Sequence, residues 1–298
     1  MGLSMPGGKS DLLFSVEQPI HDGRTDTNRQ AMKPLDFFDQ HPVFTHAEFA
    51  AAHSGRGRRS TRTTQNILAQ HVAGGRLLRV HRGLYATLPP GAAADSFTPD
   101  PYLVATKSAD DAVVAYHAAL QFHGKAHAVA SRFTYLTRRR LRPFEFQGAA
   151  FVAVLLPATL RALRRPAGGV LEQRHAGGLV RVTTLERTLV DLLDAPDQGG
   201  GWEEIWRSLE SVEFFDLDAV IDYALKLGSA LTVARVGFYL EQHREQLMVE
   251  DRHLKALRAK APAQPRYFDR DRGPGKFVRP WNLVVPEQVL SRSWAEVP

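Results

Sequence analysis

Apolar positions first recur with helical spacing close to the N-terminal end of the chain. Thr45 and Glu48 have the spacing of a capping box, in which each side chain satisfies a free backbone N–H of the other residue. Phe44 and Phe49 have the spacing of the hydrophobic staple that often accompanies such a cap. The pattern therefore predicts a helix over residues 46–53.

A second amphipathic helix is predicted over residues 61–73. Ser60 or Thr61 can cap its start, and Gly74-Gly75 ends it. The predicted buried stripe consists of Thr64, Leu68 and Val72, which repeat every four residues, and of Ile67 beside them. The opposite face is polar near the helix start and small further along, and it carries Arg62, Gln65, Asn66, Ala69 and Ala73.

Two short apolar strands follow at 77–80 and 84–87, joined by the turn His81-Arg82-Gly83. Helix, turn, helix and hairpin in this order predict a winged helix-turn-helix, in which the hairpin is the wing. Arg pairs with guanine and Asn or Gln with adenine in the major groove, so the polar helix face suits DNA. A merely solvated polar face is the alternative. The residues expected to contact DNA are Arg58, Arg59, Thr61, Arg62, Thr63, Gln65, Asn66, Arg79, His81 and Arg82.

Each of these residues has an expected role. Arg62, Gln65 and Asn66 would face base edges, and the two threonines at the helix start would contact phosphate. Arg58, Arg59 and Arg79 would bind the DNA backbone. Arg82, at the hairpin turn, would enter or flank the minor groove.

Strand-like segments precede helical ones in the rest of the chain, which predicts an α+β fold with a larger mixed C-terminal domain. The expected strands lie at 132–136, 144–147, 151–155, 170–174 and 180–182. The expected helices lie at 35–40 (burying Leu35 and Phe38), 101–107, 115–123, about 185–194 (capped by Thr183 with Glu186), 202–210, 216–227 and 232–245. Residues 279–283 are expected to return as a docked strand. The expected domains are a flexible arm at 1–33, the winged helix-turn-helix at 34–90, a linker at 91–99 and the C-terminal domain at 100–298.

Basic charge is concentrated in the N-terminal helical segment. The 298 residues contain 38 Lys and Arg against 32 Asp and Glu, and without residues 44–88 the remainder has 31 of each. Clustered basic charge on a small helical unit indicates a nucleic-acid partner. The sequence has no cysteine, no apolar run of membrane-spanning length and no signal-peptide pattern, so we expect a cytoplasmic protein without disulfides or membrane contact.

No side-chain pattern in the sequence indicates catalysis, a metal site or an organic cofactor. Arg187 and Asp191 have the spacing of an ion pair on a helix, and His117 and His123 fall on different helix faces. The basic run at 138–142 is expected to be a solvated turn or, alternatively, a second anionic contact, to DNA or to RNA. The order Gly-Ser followed by Asp-x-Asp, typical of nucleotidyltransferase toxins, is reversed here.

Four motifs resemble those of the AbiEi antitoxins, a family of predicted transcriptional regulators. They are GGRLLRVHRGLYA (74–86), YHAALQFHG (116–124), VTTLERTLVDLL (182–193) and RPWNL (279–283), and the resemblance covers about residues 35–285. It implies an autorepressor that binds double-stranded DNA at inverted repeats in its own promoter. It also implies that the C-terminal domain neutralises an AbiEii-type nucleotidyltransferase toxin, usually without a stable complex. The alternative is a metal-dependent nuclease that a winged helix targets to DNA.

Overall fold

A computed structural model describes residues 32–53, 60–162 and 168–294. Within these ranges the chain forms a mixed α+β fold with three sheets. The helices are α1 (Pro34–Gln40), α2 (His46–His53), α3 (Thr61–Ala73), α4 (Pro101–Lys107), α5 (His117–Phe122), α6 (Ala158–Arg161), α7 (Leu185–Asp194), α8 (Trp202–Glu210), α9 (Leu217–Leu227), α10 (Ala230–Gln242), α11 (Asp251–Arg258) and α12 (Glu287–Ser291). The strands are β1 (Val43–Thr45), β2 (Leu77–His81), β3 (Leu84–Thr87), β4 (Val113–Val114), β5 (Arg132–Thr137), β6 (Phe144–Phe146), β7 (Ala149–Leu155), β8 (Val170–His175), β9 (Gly178–Thr183), β10 (Arg266–Tyr267), β11 (Lys276–Val278) and β12 (Leu283–Val285).

The first helices form where their caps predict them. The Thr45 backbone N–H donates to the Glu48 carboxylate at 2.8 Å, and the Glu48 N–H donates to Thr45 Oγ1 at 3.2 Å, so the capping box at the start of α2 is complete. The Ser60 hydroxyl accepts from the Thr63 N–H at the start of α3. The hairpin β2–β3 also forms, although β2 extends one residue further than predicted, to His81.

A third strand joins this hairpin into an antiparallel sheet of order β1-β3-β2. Strand β1 has only three residues and was not predicted, because so short a segment shows no alternating pattern. Phe44 of β1 pairs with Tyr85 of β3, and both side chains enter a small aromatic core. The core consists of Phe37, Phe38, Phe44, Phe49, Leu68, Leu77 and Tyr85.

Helix α1 buries a different pair of residues from the one predicted. Phe37 and Phe38 are buried, whereas Leu35 is 52% exposed, so the prediction for Leu35 is wrong. The Phe37 ring packs edge-on against Phe44 at 5.0 Å and against Phe49 at 5.3 Å. Aromatic rings in this arrangement bury more apolar area than one leucine, which fixes the rotation of the helix.

The part of the chain that follows residue 100 is called the larger region. A six-stranded mixed sheet of order β6-β7-β5-β4-β9-β8 forms its centre. The pairs β5–β7 and β4–β9 are parallel, and the other pairs are antiparallel. Helix α4 lies between this sheet and the N-terminal sheet, because its residues Leu103 and Val104 share one buried cluster with Val80 and Leu84 of the hairpin. Residues 32–88 therefore pack directly against the rest of the described chain.

A third buried cluster is mainly helical and lies around helices α7 to α11. Helix α11 and the small sheet β10-β12-β11 were not predicted, and residues 279–281 form a short 3-10 helix before β12 rather than a strand.

The start of α7 is also corrected: Thr184, not Thr183, caps it by accepting from the Arg187 N–H. The Thr183 hydroxyl instead contacts the Thr188 hydroxyl at 2.7 Å.

Helix α5 is shorter than predicted at its N-terminal end. Residues Val113 and Val114 pair into the sheet as β4, and Tyr116 has a positive φ of 58°, so the helix cannot begin before His117.

Of the predicted arm, residues 1–31 lie outside the described residues, as do Arg58 and Arg59. Among the helices described, none combines the length and apolar character needed to span a bilayer.

Candidate nucleic-acid interface

The polar face of α3 is exposed, and the opposite stripe packs into the aromatic core. Arg62, Gln65 and Asn66 are all exposed. Thr64 and Leu68 are buried, and Ile67 and Val72 are half-buried against the same core. The helix therefore holds its Arg, Gln and Asn side chains outward on a surface that neighbouring described elements leave open.

The first turn of α3 carries hydroxyl groups and no acid. Thr61 and Thr63 are exposed, and the Thr63 hydroxyl lies 2.9 Å from that of the capping residue, Ser60. The positive end of a helix dipole favours an approaching anion, and an acid in the first turn would compete for that position. The start of α3 is therefore suited to a phosphate group.

The hairpin turn is fixed to the start of α2. The His46 backbone N–H donates to the Gly83 carbonyl oxygen at 2.8 Å. Gly83 has a φ of +79°, a conformation that L side chains rarely adopt, so glycine is needed at this turn. Arg82 at the turn and Arg79 on β2 are both exposed. The geometry thus displays two guanidinium groups along one hairpin.

His81 is positioned differently from the arginines of the hairpin. Although the side chain is exposed, its ring packs on the Phe144 ring of β6, with centroids 4.6 Å apart. A register shift in the hairpin lies between Arg79 and His81, which is the point where β2 turns toward the large sheet. His81 therefore joins the hairpin to the larger region, whereas Arg82 stays at the turn.

Two acids near this surface are paired with cations that lie outside the predicted DNA-binding set. Asp39 binds Arg76 at 2.6 Å, and Glu48 binds Lys107 of α4. Within the described ranges, no acid forms an ion pair with Arg62, Arg79 or Arg82, and the sequence has no acid at all from residue 49 to residue 94. These arginines therefore keep their full positive charge available to a partner.

Comparison with solved structures finds a similar fold in the RV2827C protein from Mycobacterium tuberculosis. Its crystal structure matches with a TM-score of 0.52 at 19% sequence identity, over 85% of this chain and 88% of that one. At this identity the likeness concerns the fold alone. No family model matches the sequence, and no curated protein matches it.

Three titratable groups of the larger region, Arg187, Asp191 and Tyr223, are engaged inside the fold. The Arg187 Nε atom donates to Asp191 at 3.2 Å, as the helical spacing predicts, and the Tyr223 hydroxyl donates to the other oxygen of the same carboxylate at 2.7 Å. This ion pair is buried rather than solvated. Burial raises the pKa of Tyr223, and the negative charge of Asp191 beside it raises that pKa further. The arrangement ties α7 to α9.

The two histidines named by the sequence are also satisfied. His117 Nε2 lies 3.0 Å from Glu204 of α8, and His123 Nε2 lies 2.8 Å from the Thr183 carbonyl oxygen. The Ser208 hydroxyl donates to the same Glu204 oxygen at 2.9 Å. In the described part of the chain, no three His, Asp or Glu side chains are grouped closely enough to hold a metal ion.

Proposed function

We propose that this chain is a sequence-specific DNA-binding protein whose N-terminal unit is a winged helix-turn-helix. In this proposal α3 is the recognition helix and β2–β3 is the wing. The observation that carries it is the exposed Arg62–Gln65–Asn66 face on a helix whose first turn has no acid. Those side chains match the hydrogen-bonding edges of guanine and adenine in the major groove.

The wing supplies the second part of the proposed interface. Recognition-helix contacts specify bases, whereas contacts from arginine to the sugar–phosphate backbone fix the position of the protein and carry no sequence information. Arg79 and Arg82 are unpaired with acids in the described structure and lie on the hairpin that follows α3. We assign them to the backbone and to the edge of the minor groove.

The biological role that fits best is that of an autorepressor and antitoxin. The four AbiEi-like motifs support this role, and they include residues of both the hairpin and the helical core. The expected partner is a nucleotidyltransferase toxin encoded beside this gene. The predicted division of labour gives DNA binding to residues 34–90 and neutralisation to residues 100–298.

Arg62→Ala tests the base-reading assignment. We expect it to reduce the preference for promoter DNA over a scrambled duplex of equal length by about 1 to 3 kcal/mol, because one bidentate base contact is lost. Arg79→Ala should instead weaken binding to both duplexes equally. Fluorescence anisotropy with the full chain and the DNA upstream of its gene measures both effects.

Lys255→Ala is a matched control. This lysine is exposed and lies on α11, a helix of the buried cluster around α7 to α11. It should leave both affinities unchanged. Equal affinity of the wild-type protein for promoter and scrambled DNA would refute sequence-specific binding. In a growth assay with the neighbouring toxin gene, Arg62→Ala should lose promoter repression and keep neutralisation.

The nuclease alternative is tested by prolonged incubation of promoter duplex with the protein and Mg²⁺. The proposed repressor leaves the duplex intact. Cleavage that disappears on adding a chelator would replace this proposal with the nuclease. No arrangement of side chains in the described structure specifically favours that second function.

A further inference from the structure

A cavity of about 350 Å³ lies between the hairpin turn and the loop that joins β5 to β6. Arg82 and His81 line it from the hairpin, and Arg139 and Arg142 line it from the loop. We call residues 138–142 the arginine loop. The sequence places this loop far from the hairpin along the chain, and only the fold brings the two together.

The charge of the cavity is strongly positive. Arg82, Arg139 and Arg142 are exposed and, among the described residues, none forms an ion pair. The one acid in the described lining is Asp110, and Lys107 in the same lining is already paired with Glu48. Three arginines against one carboxylate leave a net positive cleft, which attracts a polyanion and repels a basic protein surface.

The arginine loop is held in place rather than free. The Thr137 hydroxyl donates to Asp111 Oδ1 at 2.5 Å, and the Arg138 backbone N–H donates to Asp111 Oδ2 at 2.7 Å. Burial by itself would raise the pKa of Asp111, but these two hydrogen bonds, a bond from its own backbone N–H and the charge of Arg181 together hold that pKa below its usual value. The Asp111 carboxylate is therefore ionised at neutral pH and anchors the start of the loop.

The hairpin and the end of the arginine loop are also packed together. The His81 ring lies on Phe144, which follows the loop. Leu141 and Phe144 pack against the buried cluster that contains Val80 and Leu84 of the hairpin. The distance between Arg82 and the loop arginines is thus set by a hydrophobic contact, and a bound anion would find both groups already in position.

We propose that the arginine loop and the hairpin turn form one cleft that binds the sugar–phosphate backbone of the same duplex that α3 reads. This inference rests on the proposed function and extends its interface onto the larger region of the chain. Duplex DNA is the favoured occupant because the cleft is continuous with the hairpin turn: Arg82 lines the cavity, and Arg79 and Arg82 are the exposed hairpin arginines that the proposed function assigns to DNA. Arg139 and Arg142 are then phosphate-binding residues.

The salt dependence of binding tests the cleft. Each phosphate contact contributes about 0.9 to the slope of log affinity against log salt concentration, so Arg139→Ala/Arg142→Ala should lower the magnitude of the slope by about 1.8. Between 50 and 200 mM salt, the variant should therefore lose about 12-fold less affinity than the wild type. The probe is a labelled 40-base-pair duplex of random sequence, titrated by anisotropy with the full chain.

Two double variants control for the loss of charge. Lys255→Ala/Lys260→Ala removes two positive charges from exposed positions on and just after α11, and it should leave the slope unchanged. Arg138→Ala/Arg140→Ala removes two charges from the same loop outside the cavity lining, and it should change the slope less than the Arg139/Arg142 pair does. Circular dichroism shows that each variant is folded.

The outcomes separate the two proposals. If the wild-type protein fails to bind any duplex at 50 mM salt, the proposed function is wrong. If Arg79→Ala lowers the slope and Arg139→Ala/Arg142→Ala does not, DNA binding stands and the cleft is refuted. The cleft is also refuted if the Arg139/Arg142 variant keeps its DNA slope but loses neutralisation of the toxin, because the occupant is then RNA or the toxin itself.

Discussion

Gly237→Ala should destabilise the protein, although alanine is normally the better helix residue. Gly237 lies inside α10, and a Cβ atom added there would lie 2.1 Å from both Cη2 and Cζ3 of Trp281 and 2.7 Å from Cε3. Carbon atoms make favourable contact at about 3.5 to 4.0 Å, so the overlap exceeds one ångström. Trp281 is fully buried and its indole N–H donates to Glu241 at 2.6 Å. Moving the ring would therefore disturb a buried side chain and its hydrogen bond.

The magnitude follows from two opposing effects. Replacing glycine by alanine inside a helix contributes about 1 kcal/mol of stability. Displacing a buried tryptophan from its site costs about 3 to 5 kcal/mol by analogy with removing such a side chain. The expected net loss in the free energy of unfolding is thus about 2 to 4 kcal/mol. Urea unfolding followed by circular dichroism measures it.

A double-mutant cycle with Trp281→Leu separates steric overlap from a general weakness of α10. The overlapping atoms belong to the six-membered ring of Trp281, so they are absent from the leucine variant. Gly237→Ala should then cost little in the Trp281→Leu background, which gives a coupling energy well above about 0.5 kcal/mol. Additive effects, or a gain in stability from Gly237→Ala alone, would refute the packing argument.

Two further predictions concern charged groups. Arg235→Met should lower the free energy of unfolding, measured in urea, by about 3 to 5 kcal/mol, because the buried guanidinium donates to the carbonyl oxygens of Phe268 and Leu193. A loss below about 1 kcal/mol would contradict this expectation. Burial lowers the pKa of Arg235 to about 10, so it remains charged at neutral pH. Burial alone would raise the pKa of Glu48, but its bonds to Lys107 and Thr45 outweigh this effect and lower it below 4.5. The stability that the Glu48 charge contributes is therefore fully present above about pH 4.5 and lost as the pH falls through the folded-state pKa. The difference between wild type and Glu48→Gln should shrink in that window, and a difference that grows in acid would contradict it.

Local signals made the first helices predictable from sequence. The cap of Thr45 with Glu48 and the cap of Ser60 act within four residues of the helix start, and both are present in the structure. The exposed face of α3 follows from the same spacing. The same local signals do not decide between two neighbouring residues that could fill one role. The structure uses Thr184 rather than Thr183 to cap α7, and it buries Phe37 rather than Leu35.

Contacts between distant segments could not be predicted. The three residues of β1 form a strand only because β3 offers a partner, and α4 joins the two regions through Leu103 and Val104. The cleft beside the hairpin has the same origin. As a sequence, residues 138–142 are consistent with a solvated turn. The packing of His81 on Phe144, and of Leu141 on the buried cluster of the hairpin, brings that turn to the hairpin.

The paired acids explain why the N-terminal basic charge can act on a partner rather than within the fold. Two of the three acids between residues 32 and 94 are paired: Glu48 completes a helix cap and binds Lys107, and Asp39 binds Arg76. Each of these two carboxylates neutralises a cation that joins elements of the structure. The arginines of α3, the hairpin and the arginine loop have no such counterion in the described chain, so their charge is compensated by mobile ions. In the proposed complex these arginines would replace cations condensed on the DNA, and the release of those cations is the driving force that the salt titrations measure.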